Sequence, residues 1–203
     1  MAQQATLRSV KRLFAALAVV SAVVFWPADA PASHAGTLPP VATAVSAAPA
    51  TGAVIATLRI PRFGAEYAEP IGEGIGEAAV LNHMIGHFPG TAMPGEPGNF
   101  ALAGHRVTHG KPFNLIGSLV VGDPIVVETA DGQYLYRFRA SEYVQPSAID
   151  VTYPVPRQDV SVNPEKVITF VACNPLFSTA ERIIAYGVFE SFTPAGSAEP
   201  RVG

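Results

Sequence analysis

The sequence is poor in cysteine and in charge: it has one cysteine among 203 residues, and charged residues make up 14% of the chain. A single cysteine, Cys173, cannot form an internal disulfide, so it is a buried filler, an intermolecular link or a reactive thiol. Lys and Arg are scattered without a basic stripe, and the formal net charge is -3. The composition therefore argues against a nucleic-acid partner.

A long apolar run is also missing near the N-terminus. The apolar stretch from Leu13 to Trp26 is shorter than the roughly 20 residues that cross a bilayer comfortably. Basic residues precede it and Pro27 follows it, which is typical of a secretory signal or an uncleaved anchor. The basic charges favour a cytoplasmic N-terminus. We expect residues 1–30 to form a single-pass anchor in the plasma membrane, with the rest of the chain extracellular. Secretion after signal cleavage is the alternative.

Composition divides the remainder of the chain into three parts. Residues 31–52 are mostly Ala, Pro, Ser, Thr, Val and Gly without apolar periodicity, which predicts a linker. Residues 53–192 have the length of one domain with a sizeable core. Residues 193–203 form a polar tail.

Short apolar runs separated by Gly and Pro predict about seven or eight strands and a mostly β domain. The clearest runs are Val54–Ile60, Asn99–His105, Ile125–Thr129, Tyr134–Phe138, Val167–Cys173 and Arg182–Phe189. Asp131 and Gly132 predict a β-hairpin turn, with positive φ angles supplied by this pair. Short helical pieces are expected within residues 76–82 and 112–119. Such a pattern favours a β-barrel or sandwich, and a closed barrel best hides the strand edges.

Cys173 lies at the end of a run rich in β-branched residues, between two Asn-Pro pairs. This pattern predicts a buried strand that places the thiol at its C-terminal end. A nucleophilic cysteine needs a base or cationic neighbour and a donor for the oxyanion. His105 ends an earlier strand, and Arg182 lies nine residues after Cys173. Histidine can shuttle a proton, and arginine offers charged donors, so the three residues could perform acyl transfer through a thioester.

Several segments, in order, resemble the sortases, and most closely the class E sortases of actinobacteria. The resemblance covers nearly all of residues 54–190. It is carried by Gly86–Asn99, Ala103–Arg106, Gly122–Asp123 with the Thr129–Tyr136 hairpin, and Cys173–Arg182.

The resemblance implies an eight-stranded sortase barrel and a membrane-anchored cysteine transpeptidase. In such enzymes the cysteine cleaves a C-terminal sorting signal between Thr and Gly. The acyl group then passes to an amine on a peptidoglycan precursor or to a pilin lysine, so surface proteins that carry the signal would be clients. By position, Cys173 would be the nucleophile, His105 the general acid and base, and Arg182 the residue that orients the carbonyl or stabilises the oxyanion. Members of the family usually keep their N-terminal anchor, which favours the interpretation of residues 1–30 as an uncleaved anchor.

Two departures from the family pattern bear on substrate binding. The family commonly has Thr immediately before the cysteine, where this chain has Ala172. Many class E members carry Tyr in the segment after the histidine, where this chain has Thr108 and His109. That tyrosine is associated with preference for Ala in a Leu-Ala-x-Thr-Gly signal. We therefore assign Ala172, Thr108 and His109 to substrate binding and leave the signal open between LAxTG-like and LPxTG-like motifs.

Other readings of the same residues remain open at this stage. His83 with His87 and His105 with His109 have a spacing of four that occurs in zinc sites. Because no further carboxylate motif or predicted helix accompanies them, we expect neither a metal nor a cofactor.

Two alternative functions are also open. A catalytically silent barrel that binds wall peptides or pilins would not need Cys173. A cysteine hydrolase would release the acyl group to water without an added amine.

Overall fold

The computed structural model describes residues 48–160 and 165–197. The expected anchor, residues 1–30, most of the expected linker and the end of the tail lie outside these ranges. Across the described ranges, no helix combines the length and the apolar character needed to cross a bilayer.

The described residues form eight strands that close into a barrel, so the predicted fold class is confirmed. The strands are β1 (Val54–Arg59), β2 (Glu69–Glu73), β3 (Ile85–His87), β4 (Gly98–Ala103), β5 (Pro124–Thr129), β6 (Gly132–Val144), β7 (Lys166–Asn174) and β8 (Glu181–Pro194). Their order around the barrel is β1-β2-β3-β4-β7-β8-β6-β5, and β5 pairs back with β1. The β2–β3 and β4–β7 pairs are parallel and the others antiparallel.

Short helical turns occupy the connections. Pro61–Phe63, Ile116–Ser118 and Ile149–Thr152 are 3₁₀ turns, and Glu77–Leu81 is a single π-helical turn. The expected helical pieces at 76–82 and 112–119 contain two of them. The turn at Pro61–Phe63 was not predicted, although proline suits the first position of a helical turn.

The core fills the inside of the barrel. In β5, Ile125 and Val127 are buried and alternate with partly exposed neighbours, as expected for a strand with one face inward. In β7, four consecutive residues from Val167 to Phe170 are buried. Ile168 and Phe170 pack in the main core cluster, and Val171 on the other face packs against Val144, Val151 and Ile184, which explains the nearly continuous apolar sequence of this strand. Complete burial of one large apolar side chain, such as Ile168 or Phe170, stabilises the fold by about 1.5–3 kcal/mol.

Strand pairing brings the ends of three distant segments together. β4 runs parallel to β7, with Ala103 opposite Val171, so both strands end at the same edge of the barrel. β8 begins at that edge, and its Arg182 is the direct partner of Cys173. The strand that was predicted to include His105 ends at Ala103, so the histidine lies two residues beyond it, in the connection to β5.

The hairpin between β5 and β6 is confirmed, but its glycine acts differently from the prediction. Thr129 pairs with Gly132, so Ala130 and Asp131 form the turn, and only Gly132 of these has a positive φ, +149°. A Cβ at Gly132 would lie 2.1 Å from the carbonyl oxygen of Thr193 on β8. Gly132 is therefore required by the close approach of the next strand.

Replacing Gly132 with Ala should lower the free energy of unfolding by about 2–3 kcal/mol, because it adds a backbone clash to the strain of a positive φ. Gly64→Ala is the matched control, since Gly64 has a φ of +142° and no atom within 4 Å of the added Cβ. Thermal unfolding followed by circular dichroism compares the two variants. Equal losses in the two would show that the β8 contact contributes nothing.

Candidate active site

A cleft of about 260 Å³ at the common edge of β4, β7 and β8 contains His105, Cys173 and Arg182. The three side chains are separated by up to 77 positions in the sequence, from 105 to 182, yet line one cavity. The other lining residues are apolar or glycine: Ile75, Leu81, Phe88, Ala103, Gly104, Val171 and Ala172. The cleft thus combines a thiol, an imidazole and a guanidinium with an apolar surround.

A larger cavity, of about 610 Å³, lies elsewhere in the domain. Glu73, Glu96 and Asp131 are among its lining residues, and Cys173, His105 and Arg182 are not. Size alone therefore does not select the site. The smaller cleft holds the chain's one thiol, which is the group able to form a covalent intermediate.

Cys173 is a free, partly exposed thiol near the end of β7. Its neighbour Ala172 is 2% exposed and packs in the core, while also forming part of the cleft wall. Because side chains alternate along a strand, burial of Ala172 directs Cys173 to the opposite, accessible side. The predicted position of the thiol at a strand end is thus found in the structure.

Arg182 faces Cys173 across the β7–β8 pair. Its Nη1 atom donates to the carbonyl oxygens of Thr179, at 3.0 Å, and Glu181, at 2.9 Å. These two bonds fix the guanidinium against the β7–β8 loop. Within the described residues, its Nε and Nη2 atoms form no hydrogen bond. They can donate to an oxygen that enters the cleft.

The Nε2 atom of His105 is inaccessible to solvent and has no hydrogen-bond partner among the described residues. Such buried polar atoms are uncommon in folded proteins, and they often mark positions where a ligand or reacting group completes the bond. Burial lowers the pKa of His105, the charge of His109 lowers it further, and Glu77 opposes both effects. The cleft therefore favours the neutral imidazole, which can accept a proton.

His109 lies against His105, with ring centroids 4.7 Å apart and an interplanar angle of 35°. It occupies a left-handed backbone conformation, with a φ of +48°. Thr108, the other predicted substrate residue of this loop, is exposed and does not line the cleft. Its carbonyl oxygen instead accepts a hydrogen bond from the Lys111 amide, at 2.9 Å. The structure thus brings His109 next to His105, and neither His109 nor Thr108 lines the cleft.

The contact between the two imidazoles predicts a change in pH dependence. His109 lowers the pKa of His105, so His109→Gln should raise that pKa. The acid-side limb of the kcat/KM profile, which follows proton loss from the histidine, should then move to higher pH. His83→Gln is the control because His83 is exposed and outside the cleft. A limb that stays in place or moves to lower pH would contradict the assigned coupling.

His87, one of the histidines considered as a zinc ligand, has other partners. Its Nδ1 atom lies 2.7 Å from Oε2 of Glu73, and its Nε2 atom lies 2.8 Å from Oγ1 of Thr91. His87 and Glu73 are both buried, so this pair ties β2 to β3 inside the domain. In the parts of the chain that the structure describes, no three His, Cys, Asp or Glu residues lie close enough together to hold a metal ion.

Three further residues, adjacent in sequence to the predicted catalytic ones, were missed from the sequence: Arg106, Asn174 and Glu181. Arg106 donates to the side-chain oxygen of Asn174 and, at 3.3 Å, to the carbonyl oxygen of Cys173. Asn174 in turn donates to Glu181 at 2.9 Å. Each residue directly adjoins one of the three predicted catalytic residues, which is the signal that could have drawn attention to them.

Comparison with known proteins agrees with this geometry. The family model for the sortase domain matches residues 58–190. The chain belongs to the sortase family. Sortase SrtE1 of Streptomyces coelicolor is 40% identical over 156 residues, which are 73% of this chain and 44% of that protein. The class E resemblance is thereby confirmed.

Solved sortase structures share the barrel. A crystal structure of sortase E1 from Streptomyces coelicolor with a tripeptide in the active site has a TM-score of 0.68 and 39% identity, and the match covers 76% of this chain and 98% of that one. The SrtF sortase of Corynebacterium diphtheriae has a TM-score of 0.71 and 31% identity, with 76% and 94% coverage. The chain spans less than half the length of the curated relatives that it matches.

Proposed function

We propose that the protein is a sortase transpeptidase that cleaves an LAxTG-like or LPxTG-like C-terminal sorting signal between Thr and Gly. The enzyme would then join the substrate protein that carries this signal to an amine of a cell-wall precursor or a pilin. The observation that carries this proposal is the presence of Cys173, His105 and Arg182 in one cleft. A thiol, a titratable imidazole and a fixed cation are the groups that acyl transfer through a thioester requires.

In the first half of the reaction, neutral His105 takes the proton of the Cys173 thiol, and the resulting thiolate attacks the carbonyl carbon of the signal's Thr. Nε and Nη2 of Arg182 donate to the carbonyl oxygen as it gains negative charge. The C–N bond to Gly then breaks, and protonated His105 gives its proton to the leaving amine. The products are a thioester on Cys173 and a released fragment that begins with Gly.

In the second half, an acceptor amine attacks the thioester. His105, now neutral, takes a proton from the amine, a C–N bond forms, and the C–S bond breaks to return the thiolate. The low pKa of His105 supports this role because the imidazole is ready to accept a proton near neutral pH. Water can attack the same thioester, which would give hydrolysis as a side activity when amine is scarce.

The lining of the cleft supports an extended peptide as substrate. Its wall contains Ile75, Leu81, Phe88 and Val171, which suit the apolar side chains of a sorting signal. Ala172 narrows this wall less than the threonine common in the family would, and His109 lies beside the proposed base. We assign both to substrate contact. The tripeptide in the active site of sortase E1 from Streptomyces coelicolor fits the same class of ligand.

The location of the enzyme is part of the proposal. Residues 1–30 would anchor the protein in the plasma membrane and place the catalytic domain outside the cell, where signal-bearing surface proteins and wall amines are found. Secretion after signal cleavage remains the alternative. Fractionation of cells that express the full chain separates the two, because an anchored enzyme stays with the membrane pellet at high salt.

The test of the proposed reaction is a peptide assay on a chain that starts near Gly52. Fluorogenic Leu-Ala-x-Thr-Gly and Leu-Pro-x-Thr-Gly peptides are incubated with and without a glycine-based or diaminopimelate-type amine, and products are identified by mass spectrometry. An amine-ligated product that requires Cys173 is expected. Cysteine-dependent release of free acid alone in the presence of amine would favour a hydrolase, and the absence of cleavage would favour a binding module.

A further inference from the structure

Each of the three residues proposed to be catalytic has a polar neighbour one position away in the sequence. Arg106 follows His105, Asn174 follows Cys173, and Glu181 precedes Arg182. From their contacts we infer that Arg106, Asn174 and Glu181 form a hydrogen-bond network, the positioning relay, that holds the catalytic side chains in their relative positions. This inference rests on the proposed function for its effect on turnover, although the relay itself is visible without substrate.

The relay is a continuous chain of hydrogen bonds. Nη1 of Arg106 donates to Oδ1 of Asn174 and to the carbonyl oxygen of Cys173, the latter at 3.3 Å. Nδ2 of Asn174 donates to Oε2 of Glu181 at 2.9 Å. The relay therefore links the loop of His105, the end of β7 and the start of β8.

The relay lies outside the lining of the cleft. Cys173 with Arg182 and Asn174 with Glu181 are consecutive pairs of the β7–β8 ladder. Because side chains alternate along a strand, the two pairs point to opposite faces. Asn174 is 9% exposed, whereas Cys173 lines the open cleft. None of Arg106, Asn174 and Glu181 lines the cleft, so the relay leaves the space of a substrate free.

Among the described residues, few other hydrogen bonds join the loop of His105 to β7. The β4–β7 contact continues one residue past the strand, where the Gly104 amide donates to the Val171 carbonyl oxygen at 3.1 Å. After that point Arg106 provides the next bond to β7. Asn114 fixes the backbone of the same loop by donating to the carbonyl oxygen of Arg106 at 3.0 Å. Arg106 is therefore placed to set the distance between His105 and Cys173.

The charges on either side of Asn174 fix the orientation of its side-chain amide. The oxygen of Asn174 faces the positive guanidinium and its nitrogen faces the negative carboxylate, so both bonds are charge-assisted. A carboxylate in place of the Asn174 amide would still accept from Arg106. It would, however, repel Glu181 and leave that carboxylate without its donor.

This polarity gives a test with a designed rescue. Asn174→Asp should lower kcat for the signal peptide by about 10- to 100-fold, as a small displacement of reacting groups does, with KM within about 3-fold. Adding Glu181→Gln should return kcat to within about 5-fold of wild type, since the glutamine amide can donate to the new carboxylate. Glu181→Gln alone should lose less than about 5-fold, because its carbonyl oxygen still accepts from Asn174.

A second readout does not depend on peptide cleavage. The rate at which iodoacetamide alkylates Cys173 reports how the protein activates the thiol. It should fall in Asn174→Asp and recover in the double variant. The double variant keeps the carboxylate at position 174 and has the same net charge as wild type. Glu181→Gln alone, which removes one carboxylate, therefore controls for net charge and should leave the alkylation rate within about 5-fold of wild type. Glu190→Gln is the control, since Glu190 forms an exposed ion pair with Arg137, and it should leave both readouts unchanged.

The outcomes separate the relay from the proposed function. Loss and recovery of alkylation in a protein that cleaves no peptide would uphold the relay and overturn the transpeptidase. Normal turnover by Asn174→Asp, or equal losses in the single and double variants, would overturn the relay and leave the transpeptidase standing. Thermal unfolding of each variant ensures that the kinetics describe folded protein.

Discussion

Replacing Cys173 with Ala is expected to lower cleavage of the sorting peptide by at least about 1,000-fold, to the background of the assay. The substitution removes the sulfur that would form the thioester, and none of the described residues that line the cleft with Arg182 and His105 offers another thiol or hydroxyl. Initial rates with the fluorogenic peptides, with and without amine, measure the loss.

The fold should tolerate this change, which makes the kinetic result interpretable. Cys173 is partly exposed at a strand end and forms no disulfide, so Cys173→Ala should change the free energy of unfolding by less than about 1 kcal/mol. Cys173→Ser provides a near-isosteric control and should be almost as inactive, because a hydroxyl is a much weaker nucleophile than a thiolate at neutral pH. Substantial turnover by either variant would show that another group performs the cleavage.

Replacing His105 with Ala should lower kcat/KM by about 100- to 10,000-fold, the range for loss of a general acid and base. The buried Nε2 atom has no partner in the described structure, so its removal breaks no structural hydrogen bond. The main effect should therefore be on proton transfer to the leaving amine and from the acceptor amine. Steady-state kinetics at several pH values measure the loss and should show that the acid-side limb disappears.

The matched control for this variant is His83→Ala. His83 is exposed and outside the cleft, so its removal should change kcat/KM by less than about 2-fold. An His105→Ala enzyme that keeps a normal rate and an unchanged pH profile would exclude His105 as the proton carrier.

Local pattern predicted the elements that carry the cleft. The β-branched run before Cys173 predicts β7 because this strand packs against the main core on one face and against Val144 and Val151 on the other, and strands buried on both faces are apolar along their length. Frequent Gly and Pro turns predict the all-β architecture, and closure of the barrel follows from the need to hide edges. The grouping of His105 with Cys173 could be expected from the family resemblance, but the structure supplies its cause, which is the parallel β4–β7 pair.

Other features depend on contacts that no local pattern contains. The requirement for Gly132 comes from the approach of Thr193 on a strand 61 positions later in the sequence. The relay of Arg106, Asn174 and Glu181 exists only because β8 pairs with β7 in one register. Thr108 and His109 were predicted to bind substrate from their positions in the chain, and neither lines the cleft.

The most direct test of the account is the intact mass of the protein after brief incubation with the sorting peptide in the absence of amine. The account predicts an adduct equal to the peptide up to its Thr, attached through Cys173, absent from Cys173→Ala and discharged to ligated product when an amine is added. Cleavage of the peptide by the wild-type protein with no such adduct, or an adduct that persists on Cys173→Ala, would contradict a thioester at this cysteine.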